Sequence, residues 1–429
     1  MRIEELYQCF LQCDGVSIDT RNITPNSLFF ALKGDNFDGN NFAQQALDQG
    51  ASFVVMDNKK LVTHSDKMFW YTDALMALQE LAKYHRQQLG LPIIALTGSN
   101  GKTTTKELIL AILSKKYQVK ATQGNLNNHI GVPLTLLSFN EDTDIGIVEM
   151  GANHLGEIAH LSELADPDFG YITNFGKAHL EGFGSFEGVI KAKSELYTYL
   201  ENNYKLAFTN TDDTLQDIKT MTFTRYTFGT EPQNDLVIEE YKAQPMASIT
   251  TQKTLFNSNL TGIYNATNIA AAVAIGTYFK VPISDCKTAI EQYIPTNNRS
   301  QWVEKGTYKI LLDAYNANPS SMEAALDNFI QLDSKGSKTL FLGDMFELGQ
   351  NSSEEHVTLI EKLNKIDNLT IYYIGNHFFE HQQVQPKSFF FKTYNDFAEV
   401  FDSKTMDENG IILIKGSRGM ALERILDLI

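Results

Sequence analysis

The chain has 429 residues, of which 43% are hydrophobic and 21% are charged, so it is long enough for about three globular domains. Its formal net charge of −16 argues against nucleic acid as the main partner, because phosphate backbones require a basic surface. No apolar run approaches the ~20 residues that cross a bilayer, and the acidic start lacks a signal-peptide core. We therefore expect no stable membrane association and a cytoplasmic location.

Cysteine usage also favours a reducing compartment, because Cys9, Cys13 and Cys286 are too few for a disulfide framework. Cys9 and Cys13 stand four residues apart, a spacing that predicts one shared face of the first helix. A metal half-site is the alternative, but no second Cys or His pair lies nearby in the sequence.

Residues 1–88 are predicted to form a small α/β domain. The hydrophobic patterns indicate strands at 27–32 and 51–56, and helices at 41–49 and 73–88. The segment Gly90-Leu91-Pro92 then marks the passage into the next domain.

Residues 89–295 are predicted to form a central domain around a parallel sheet, because strands and helices alternate along this stretch. The predicted strands are 92–97, 117–121, 144–149, 168–173 and 205–209. The predicted helices are 101–115, 156–165, 186–201 and 265–279. Several short β-prone runs at 222–260 interrupt the alternation and predict an antiparallel extension.

Residues 296–429 begin a new series of strands and helices after Pro295. The predicted strands are 309–313, 338–343, 369–374, 388–391 and 410–415, with helices between them. This pattern predicts a doubly wound, Rossmann-like C-terminal domain. The predicted fold is therefore α/β with three domains, the central one built around a nucleotide-binding parallel sheet.

A phosphate-binding loop is the most specific signal in the sequence. The run Thr97–Thr105 reads TGSNGKTTT and lies between an apolar strand and an amphipathic helix. Gly98 and Gly101 allow a tight turn whose N–H groups point at phosphate, and the helix N-terminus adds to the attraction. Lys102 supplies a charge for the distal phosphates, and Thr103 supplies a hydroxyl for Mg²⁺. A turn without a ligand is the alternative, but the Lys-Thr pair favours a nucleoside triphosphate.

Two further side chains follow strands at the edge where open α/β sheets bind their ligands. Glu149 ends a predicted strand and is placed to be a metal ligand or to hold water, although a strand-capping surface glutamate is the alternative. His179 follows another strand and is a candidate ligand for magnesium or substrate, although most isolated histidines are not functional. Lys193, taken alone, is typical of a solvated helix lysine.

Polar, glycine-spaced loops also follow three predicted strands of the C-terminal domain, which is unusual for a domain that serves only stability. Asp313 is placed to accept hydrogen bonds from ribose hydroxyls or other donors. Asn316 and Asn318 begin the next helix, where a capping role is the structural alternative. The other two loops are Gly343–Gly349 and Lys415–Met420.

Taken in order, these segments resemble the Mur ligases of bacterial cell-wall synthesis. The resemblance runs from about Ser17 to Glu423. Besides the phosphate loop, it is carried by Asp19–Arg21, Phe29–Gly34, Asp38–Gly39, Asn125–Asn128, Gly131–Pro133, Glu149–His154, Ala178–Gly184, Tyr315–Pro319, Gly343–Met345 and Lys415–Arg418. The Asp19–Arg21 and Tyr315–Pro319 segments favour the type of Mur ligase that adds D-alanyl-D-alanine.

The resemblance implies roles for residues in all three domains. It implies an ATP site made by Gly98, Asn100, Gly101, Lys102, Thr103 and Thr104, with Asn268 near adenine and with Arg299 and Asp313 near phosphate and ribose. It implies magnesium ligands Thr103, Glu149, His179 and, if carbon dioxide has carbamylated it, Lys193. It implies substrate-binding residues Thr20, Arg21, Asn127, Asn128, Asn316 and Asn318, of which Thr20 and Arg21 would lie near the UDP end.

The reaction that the resemblance implies is amide-bond formation between UDP-N-acetylmuramoyl-tripeptide and D-alanyl-D-alanine, with ATP and Mg²⁺. Phosphoryl transfer would turn the poorly reactive carboxylate into an acyl phosphate, and the dipeptide amine would then attack the carbonyl. Lys102, Glu149, His179 and Lys193 would be the catalytic groups, and the protein would act as a monomer. No protein nucleophile is required.

Three alternatives stay open at the level of the sequence. A sister ligase would add another amino acid to a UDP-sugar, or glutamate to folate. A nucleotide-controlled binding protein would use ATP to set its conformation without ligation, and a simple kinase would stop after phosphoryl transfer. The sequence also leaves open which diamino acid stands third in the tripeptide, and whether the domains are open or closed.

Overall fold

Three sheets organise the molecule, each flanked by helices. The structure, a computed structural model, describes the backbone of residues 1–429 and every side chain except that of Thr405. Within the described residues, no helix is both long and apolar enough to cross a membrane. The α/β fold class expected from the sequence is confirmed by this architecture.

The first sheet has four parallel strands in the order β1-β2-β5-β6. Its strands are β1 (Gly15–Ser17), β2 (Ser27–Phe30), β5 (Phe53–Met56) and β6 (Met68–Trp70), and a separate small hairpin pairs β3 (Lys33–Gly34) with β4 (Phe37–Asp38). The accompanying helices are α1 (Ile3–Phe10), α2 (Ala43–Asp48) and α3 (Ala74–Leu89). Asp73 caps α3 by accepting from two backbone N–H groups, which explains why the helix begins there.

The second sheet has nine strands in the order β15-β14-β13-β12-β11-β10-β7-β9-β8. Its strands are β7 (Ile93–Thr97), β8 (Val119–Ala121), β9 (Ile145–Glu149), β10 (Phe169–Ile172), β11 (Leu206–Asn210), β12 (Arg225–Gly229), β13 (Leu236–Lys242), β14 (Ser248–Thr251) and β15 (Thr254–Asn257). Its helices are α4 (Lys102–Leu113), α5 (Gly131–Leu137), α6 (Glu157–Ala165), α7 (Leu180–Phe183), α8 (Phe186–Asn202), α9 (Thr214–Thr220), α10 (Ile263–Tyr278) and α11 (Ile283–Gln292).

The third sheet has six strands in the order β16-β17-β21-β18-β19-β20. Its strands are β16 (Gln301–Lys305), β17 (Tyr308–Asp313), β18 (Lys338–Gly343), β19 (Leu369–Ile374), β20 (Ser388–Phe391) and β21 (Ile411–Lys415). Its helices are α12 (Pro319–Gln331), α13 (Ser352–Leu363), α14 (Asn376–Glu380) and α15 (Tyr394–Val400). All neighbouring strands are parallel except the β16–β17 pair, so helices cover both faces as a doubly wound sheet requires.

The elements predicted from the sequence are present, with ends that differ by at most two residues. The prediction of an antiparallel extension at 222–260 is wrong for its first part, because β12 pairs in parallel with β11 and β13 begins in parallel beside β12. Helix α9 supplies the crossover that a parallel β12 requires. Antiparallel pairing begins only between β13 and β14.

The prediction that Cys9 and Cys13 share a face of the first helix is also wrong. Helix α1 ends at Phe10, and the Cys13 thiol lies beyond it, 3.3 Å from the carbonyl oxygen of Cys9. All three cysteines are free thiols in the described structure.

An apolar seam joins the second and third sheets through their helices. Leu180 and Phe183 of α7 and Val189 and Ala192 of α8 are buried in one cluster with side chains that follow β17 and β18. Those partners are Ala317, Met322, Met345 and Leu348, all nearly inaccessible to solvent. Because burying each large apolar side chain is worth about 1.5–3 kcal/mol, this seam holds the two parts of the molecule together.

Candidate active site

The carboxyl ends of β7, β9 and β10 lie side by side and place three functional segments at one edge of the second sheet. The register pairs Leu96 of β7 with Glu149 of β9, and Thr97 with Ile172 of β10. The phosphate loop, the Glu149 carboxylate and the segment that leads to His179 therefore leave the sheet together. This is the edge at which ligands bind in open α/β sheets.

The phosphate loop requires glycine at two positions for different reasons. Gly98 has φ +143°, and a Cβ there would lie 2.0 Å from Thr173 Oγ1. Gly101 has φ +79°, and a Cβ there would lie 2.9 Å from Asn268 Oδ1. The loop therefore lies directly against β10 on one side and against α10 on the other, with no room for side chains.

Polar groups that follow β10 anchor this loop. Thr173 Oγ1 donates to the Asn100 carbonyl oxygen at 2.6 Å, and the Asn174 side chain accepts from Asn100 N–H at 3.1 Å. Ser99 Oγ exchanges two hydrogen bonds with the backbone of Gly176, at 2.8 and 2.9 Å. The sequence analysis missed Ser99, Thr173 and Asn174 as loop supports, although their position at two neighbouring strand ends was a usable signal.

Lys102 folds back over the loop. Its Nζ donates to the carbonyl oxygens of Gly98 at 2.7 Å and Ser99 at 3.3 Å. Burial lowers the pKa of Lys102 to about 8, an effect that nearby Glu149 opposes and Arg299 adds to. Phosphate oxygens at the loop would give this ammonium the anionic partners that the two carbonyls only partly replace.

Glu149 is a buried carboxylate, and only one of its two oxygens accepts a hydrogen bond from a described residue. Its Oε1 accepts from Asn127 Nδ2 at 2.9 Å, whereas Oε2 has no hydrogen-bond partner among the described residues. The nearest cation to Oε2 is the buried Nζ of Lys106, 3.9 Å away, and this Nζ donates to the Thr122 carbonyl oxygen. An unpartnered buried carboxylate oxygen is costly unless a ligand completes it.

The donor set fits a magnesium ion held partly by phosphate. Thr103 and Glu149 line one cleft, and hard oxygen donors of this kind suit Mg²⁺. The described residues contain no group of three or more His, Cys, Asp or Glu side chains placed to hold a metal by themselves. That agrees with the usual magnesium site, in which one or two carboxylates act together with waters and substrate phosphates.

Lys193 is buried on α8 rather than solvated, contrary to the expectation from its residue type. It is 1% exposed; its Nζ donates to the Ala152 carbonyl oxygen at 3.2 Å and lies 5.2 Å from the Phe183 ring centroid. Burial, together with the charge of Lys102, lowers the pKa of Lys193 well below its usual value. A lower pKa increases the fraction of this amine that is neutral and nucleophilic.

His179 contacts the part of the molecule built on the third sheet. Its Nδ1 donates to the Glu347 carboxylate, and this hydrogen bond lowers the pKa of Glu347. Lys177, two residues earlier, pairs with Glu355 at 2.8 Å. The sequence analysis named the Gly343–Gly349 loop but did not identify Glu347 as a partner of His179.

Asp313 and Arg299 face the phosphate loop from the third sheet. Asp313 accepts from Ser300 N–H at 3.0 Å and from the buried Nζ of Lys415 at 2.6 Å. The Arg299 guanidinium stacks 3.7 Å from the Tyr315 ring centroid, and its Nε has no partner in the described part of the chain. Lys415 is a site residue that the sequence analysis placed in a loop but gave no role.

The predicted asparagines occupy different places. Asn318 caps α12 and its Nδ2 donates to Asn100 Oδ1 at 2.7 Å, so it joins the third sheet to the phosphate loop. Asn268 is buried on α10 beside Gly101, and Asn128 Oδ1 accepts from the Gly131 N–H at the start of α5 at 2.9 Å. Asn316 is exposed at the mouth of the cleft.

One cleft of about 1260 Å³ contains most of the predicted residues. Its lining includes Asn100, Gly101, Lys102, Thr103, Thr104, Asn127, Asn128, Glu149, His179, Asn268, Arg299, Asp313 and Asn316. Gly98, Lys193 and Asn318 lie behind it and support lining residues by the hydrogen bonds given above. The described lining includes neither Thr20 nor Arg21, and Arg21 instead pairs with Asp19 on the surface of the first sheet at 2.6 Å.

Comparison with known proteins gives matches along nearly the whole chain. Residues 12–86 match the model described as Mur ligase family, catalytic domain; residues 96–276 match the Mur ligase middle domain; and residues 298–418 match the model described as Mur ligase, glutamate ligase domain. The UDP-N-acetylmuramoyl-tripeptide--D-alanyl-D-alanine ligase of Bacillus subtilis (strain 168) is 36% identical over 428 residues, which cover 97% of this chain and 93% of that protein.

Solved structures of Mur ligases are also similar to this chain. MurF from Acinetobacter baumannii superposes with a TM-score of 0.88 at 29% identity, covering 99% of this chain and 98% of that chain. The MurF ligase from Thermotoga maritima in complex with ADP superposes with a TM-score of 0.83 at 28% identity, covering 98% of this chain and 97% of that chain. On sequence and structure together, the chain belongs to the Mur ligase family.

Proposed function

We propose that the protein uses ATP to join D-alanyl-D-alanine to UDP-N-acetylmuramoyl-tripeptide, which forms the UDP-N-acetylmuramoyl-pentapeptide precursor of peptidoglycan. The observation that carries the proposal is the cleft of about 1260 Å³, in which the phosphate loop faces Arg299 and Asp313 with the unpartnered oxygen of Glu149 close by. The names of the full-length relatives support the same reaction and the same pair of substrates. The ADP complex of the Thermotoga maritima protein supports ATP as the nucleotide.

We infer the following division of labour along the chain. Residues 1–88 hold the UDP end, with Thr20 and Arg21 on the surface that would receive it. Residues 89–295 bind ATP, and residues 296–429 close over the nucleotide and help to bind the dipeptide. In support, each matched family model lies within one of these ranges.

At the cleft, the phosphate loop would hold the ATP phosphates through Gly98, Asn100, Gly101, Lys102, Thr103 and Thr104, with Lys102 on the distal ones. Asn268 would lie beside adenine, while Arg299 and Asp313 would reach phosphate and ribose from the opposite wall. Asn127, Asn128, Asn316 and Asn318 would contact or position the peptide substrates. The lining of the cleft by most of these residues is the supporting observation.

Magnesium, held by Thr103, Glu149 and His179, would neutralise charge on the phosphates. Lys193 would complete this set after its neutral amine has attacked carbon dioxide, forming an N–C bond and releasing one proton. The resulting carbamate would replace a cation by anionic oxygen. The buried position and lowered pKa of Lys193 support this assignment.

The reaction would proceed in two displacements. The terminal carboxylate of the tripeptide attacks the γ-phosphorus and ADP departs, which leaves an acyl phosphate. The dipeptide amine then attacks the acyl carbon, loses a proton, and inorganic phosphate leaves. Lys102 stabilises the charge that develops on the transferred group, and the closed cleft keeps water from the reactive acyl phosphate.

The decisive experiment measures phosphate release from ATP and Mg²⁺ with the tripeptide substrate and D-alanyl-D-alanine, added separately and together. Both lysine-type and diaminopimelate-type tripeptides are supplied, and the products are identified by mass. We expect phosphate release and pentapeptide only when both substrates are present.

Other outcomes would identify a different activity. Phosphate transfer without a ligated product would indicate a kinase. ATP binding with no turnover of any pair would indicate a nucleotide-controlled binding protein. Turnover with a single amino acid in place of the dipeptide would indicate a sister ligase. A monomer in the cytoplasm is the state that we propose for the enzyme, and light scattering of the purified protein tests the monomer.

A further inference from the structure

The Glu347 carboxylate meets His179 across the gap between the second and third sheets. Glu347 belongs to the loop that follows β18, and its carboxylate pairs with Nδ1 of His179, which precedes α7. A carboxylate can only accept, so Nδ1 carries the proton in this hydrogen bond. In the neutral ring, Nε2 then holds the lone pair, which is the state that a metal ligand requires.

Backbone geometry shows that this contact is built into both loops. His179 has φ +52° and Glu347 has φ +62°, a region that residues other than glycine seldom adopt. The Glu347 carbonyl oxygen accepts a second bond, from the backbone N–H of Glu181 at 3.1 Å. The two loops are therefore docked by backbone and side chain together.

Backbone hydrogen bonds hold the loop that carries Glu347 against α13 and against the segment after β21. Met345 N–H donates to the buried Nε2 of His356 at 3.1 Å, and Phe346 N–H donates to Ser417 Oγ at 2.9 Å. These bonds set the direction in which Glu347 leaves the third sheet. In the described structure its carboxylate reaches His179 across the contact between the second and third sheets.

We propose that Glu347 is a positioning residue that orients His179 and fixes its tautomer for a divalent cation when the molecule closes. The inference rests on the proposed function, because it takes His179 as a metal ligand. It couples closure of the third sheet to completion of the metal site. An open molecule would keep Thr103 and Glu149 in place but would leave the His179 ring without its carboxylate partner.

The contact has a matched control in the same interface. Lys177 and Glu355 form a second ion pair between the same two parts of the molecule, and neither residue lines the described cleft. Each pair has one member that is more than half exposed, Glu347 at 55% and Lys177 at 52%, so neither pair is expected to contribute much to folding. If the Glu347–His179 pair served only to dock the two parts of the molecule, then removing either pair would have the same effect on metal binding and on kcat.

The test compares E347A with E355A in the full-length protein. Manganese, a spectroscopic substitute for magnesium, is titrated by electron paramagnetic resonance in the presence of a non-hydrolysable ATP analogue, and kcat and KM for ATP are measured separately. We expect E347A to weaken manganese binding and to lower kcat by about tenfold or more, with KM for ATP changed less than about threefold. We expect E355A to change each quantity by less than about threefold, with both variants melting near the wild type.

A double variant then asks whether Glu347 acts through His179. We expect H179A/E347A to bind manganese no more weakly than H179A alone. Equal losses in E347A and E355A, or a further loss from E347A in the H179A background, would overturn the proposal. Manganese binding does not depend on ligation, so a wild-type protein that fails to make pentapeptide would contradict the proposed function without deciding this point.

Discussion

Lys102 and Lys193 show how the surroundings of a lysine determine what it can do. Both side chains are shielded from water near the phosphate loop, and burial lowers the pKa of each. Lys102 faces the cleft beside backbone carbonyls and can gain phosphate oxygens as partners. Lys193 lies behind the cleft, where its Nζ donates to one backbone carbonyl oxygen and lies near an aromatic ring. Its amine is therefore available for reaction with carbon dioxide.

Replacing Lys102 by methionine should remove the charge and keep most of the shape. We expect K102M to lower kcat/KM for ATP by about a hundredfold or more, because one preorganised donor to a transferred group is worth that much. The melting temperature should not fall, since a buried ammonium is exchanged for an apolar group. Steady-state kinetics and calorimetry check the two parts, and K102R, which keeps the charge, should retain more activity. Unchanged kcat/KM in K102M would contradict the assigned role.

Activity should depend on dissolved carbon dioxide through Lys193. We expect enzyme assayed in buffer stripped of carbon dioxide to lose most of its kcat and to recover when bicarbonate is added. Native mass spectrometry should detect the mass of one carbon dioxide on the wild type and not on K193A. The control is K191A, because Lys191 is exposed on the same helix and should leave both results unchanged. A kcat that stays the same when bicarbonate is removed and added back would argue against the carbamate.

At the scale of elements, the loop after β18 depends on the protonation state of one buried histidine. His356 on α13 donates through Nδ1 to the Ser352 carbonyl oxygen at 2.7 Å and accepts Met345 N–H at Nε2. It can do both only when neutral. Burial lowers its pKa below 6.5, although Asp344, 3.8 Å away, opposes that effect.

This histidine gives stability a pH dependence with a definite sign. The unfolded chain takes up the proton near pH 6.5 and the folded chain only at lower pH, so the contribution is complete above pH 6.5 and is lost as the pH falls. We expect the wild type to lose up to about 1.4 kcal/mol per pH unit more than H356Q between pH 7.5 and 5.5, measured by calorimetry. Equal slopes in wild type and H356Q would refute this account.

The elements were predictable from the sequence where one physical signal dominated. Strands β7, β9 and β18 are continuous apolar runs bounded by glycine or polar residues, and their ends were found to within two residues. Strand β12 was not placed in its parallel pairing, because its pairing partner is decided by the crossover through α9 and not by its own residues. The loop-to-loop contact of Glu347 with His179 was equally beyond prediction, because it joins residues 168 positions apart on different sheets.

At the scale of the whole molecule, polar bridges as well as apolar packing hold the third sheet against the phosphate loop. Asn318 reaches Asn100, Lys177 N–H reaches Ser320 Oγ at 2.8 Å, and Lys177 Nζ reaches Glu355. In the described structure the third sheet is therefore bonded directly to the phosphate loop and to the segment after β10. The sequence could not show this, because each bridge depends on how two separately folded parts are oriented.

Removing two of these bridges should open the molecule without unfolding it. Serine in place of Asn318 can still cap α12 but is too short to reach Asn100. We expect N318S/S320A, which also removes the acceptor of Lys177 N–H, to show a larger radius of gyration by small-angle X-ray scattering, because each lost hydrogen bond is worth about 1 kcal/mol, or roughly fivefold in the closed population. An ATP analogue should restore compactness. A radius identical to that of the wild type in the absence of nucleotide would mean that the apolar seam alone sets the arrangement.

The apolar seam between α7, α8 and the segments after β17 and β18 makes closure sensitive to temperature. Side chains such as Phe183 and Met345 cannot separate without wetting surface that is now dry. Hydration of apolar surface raises the heat capacity, so ligands that close the molecule should bind with a negative heat-capacity change, measurable by titration calorimetry at several temperatures. Cooling weakens apolar association, and the cold enzyme should therefore spend more of its time open than the warm one.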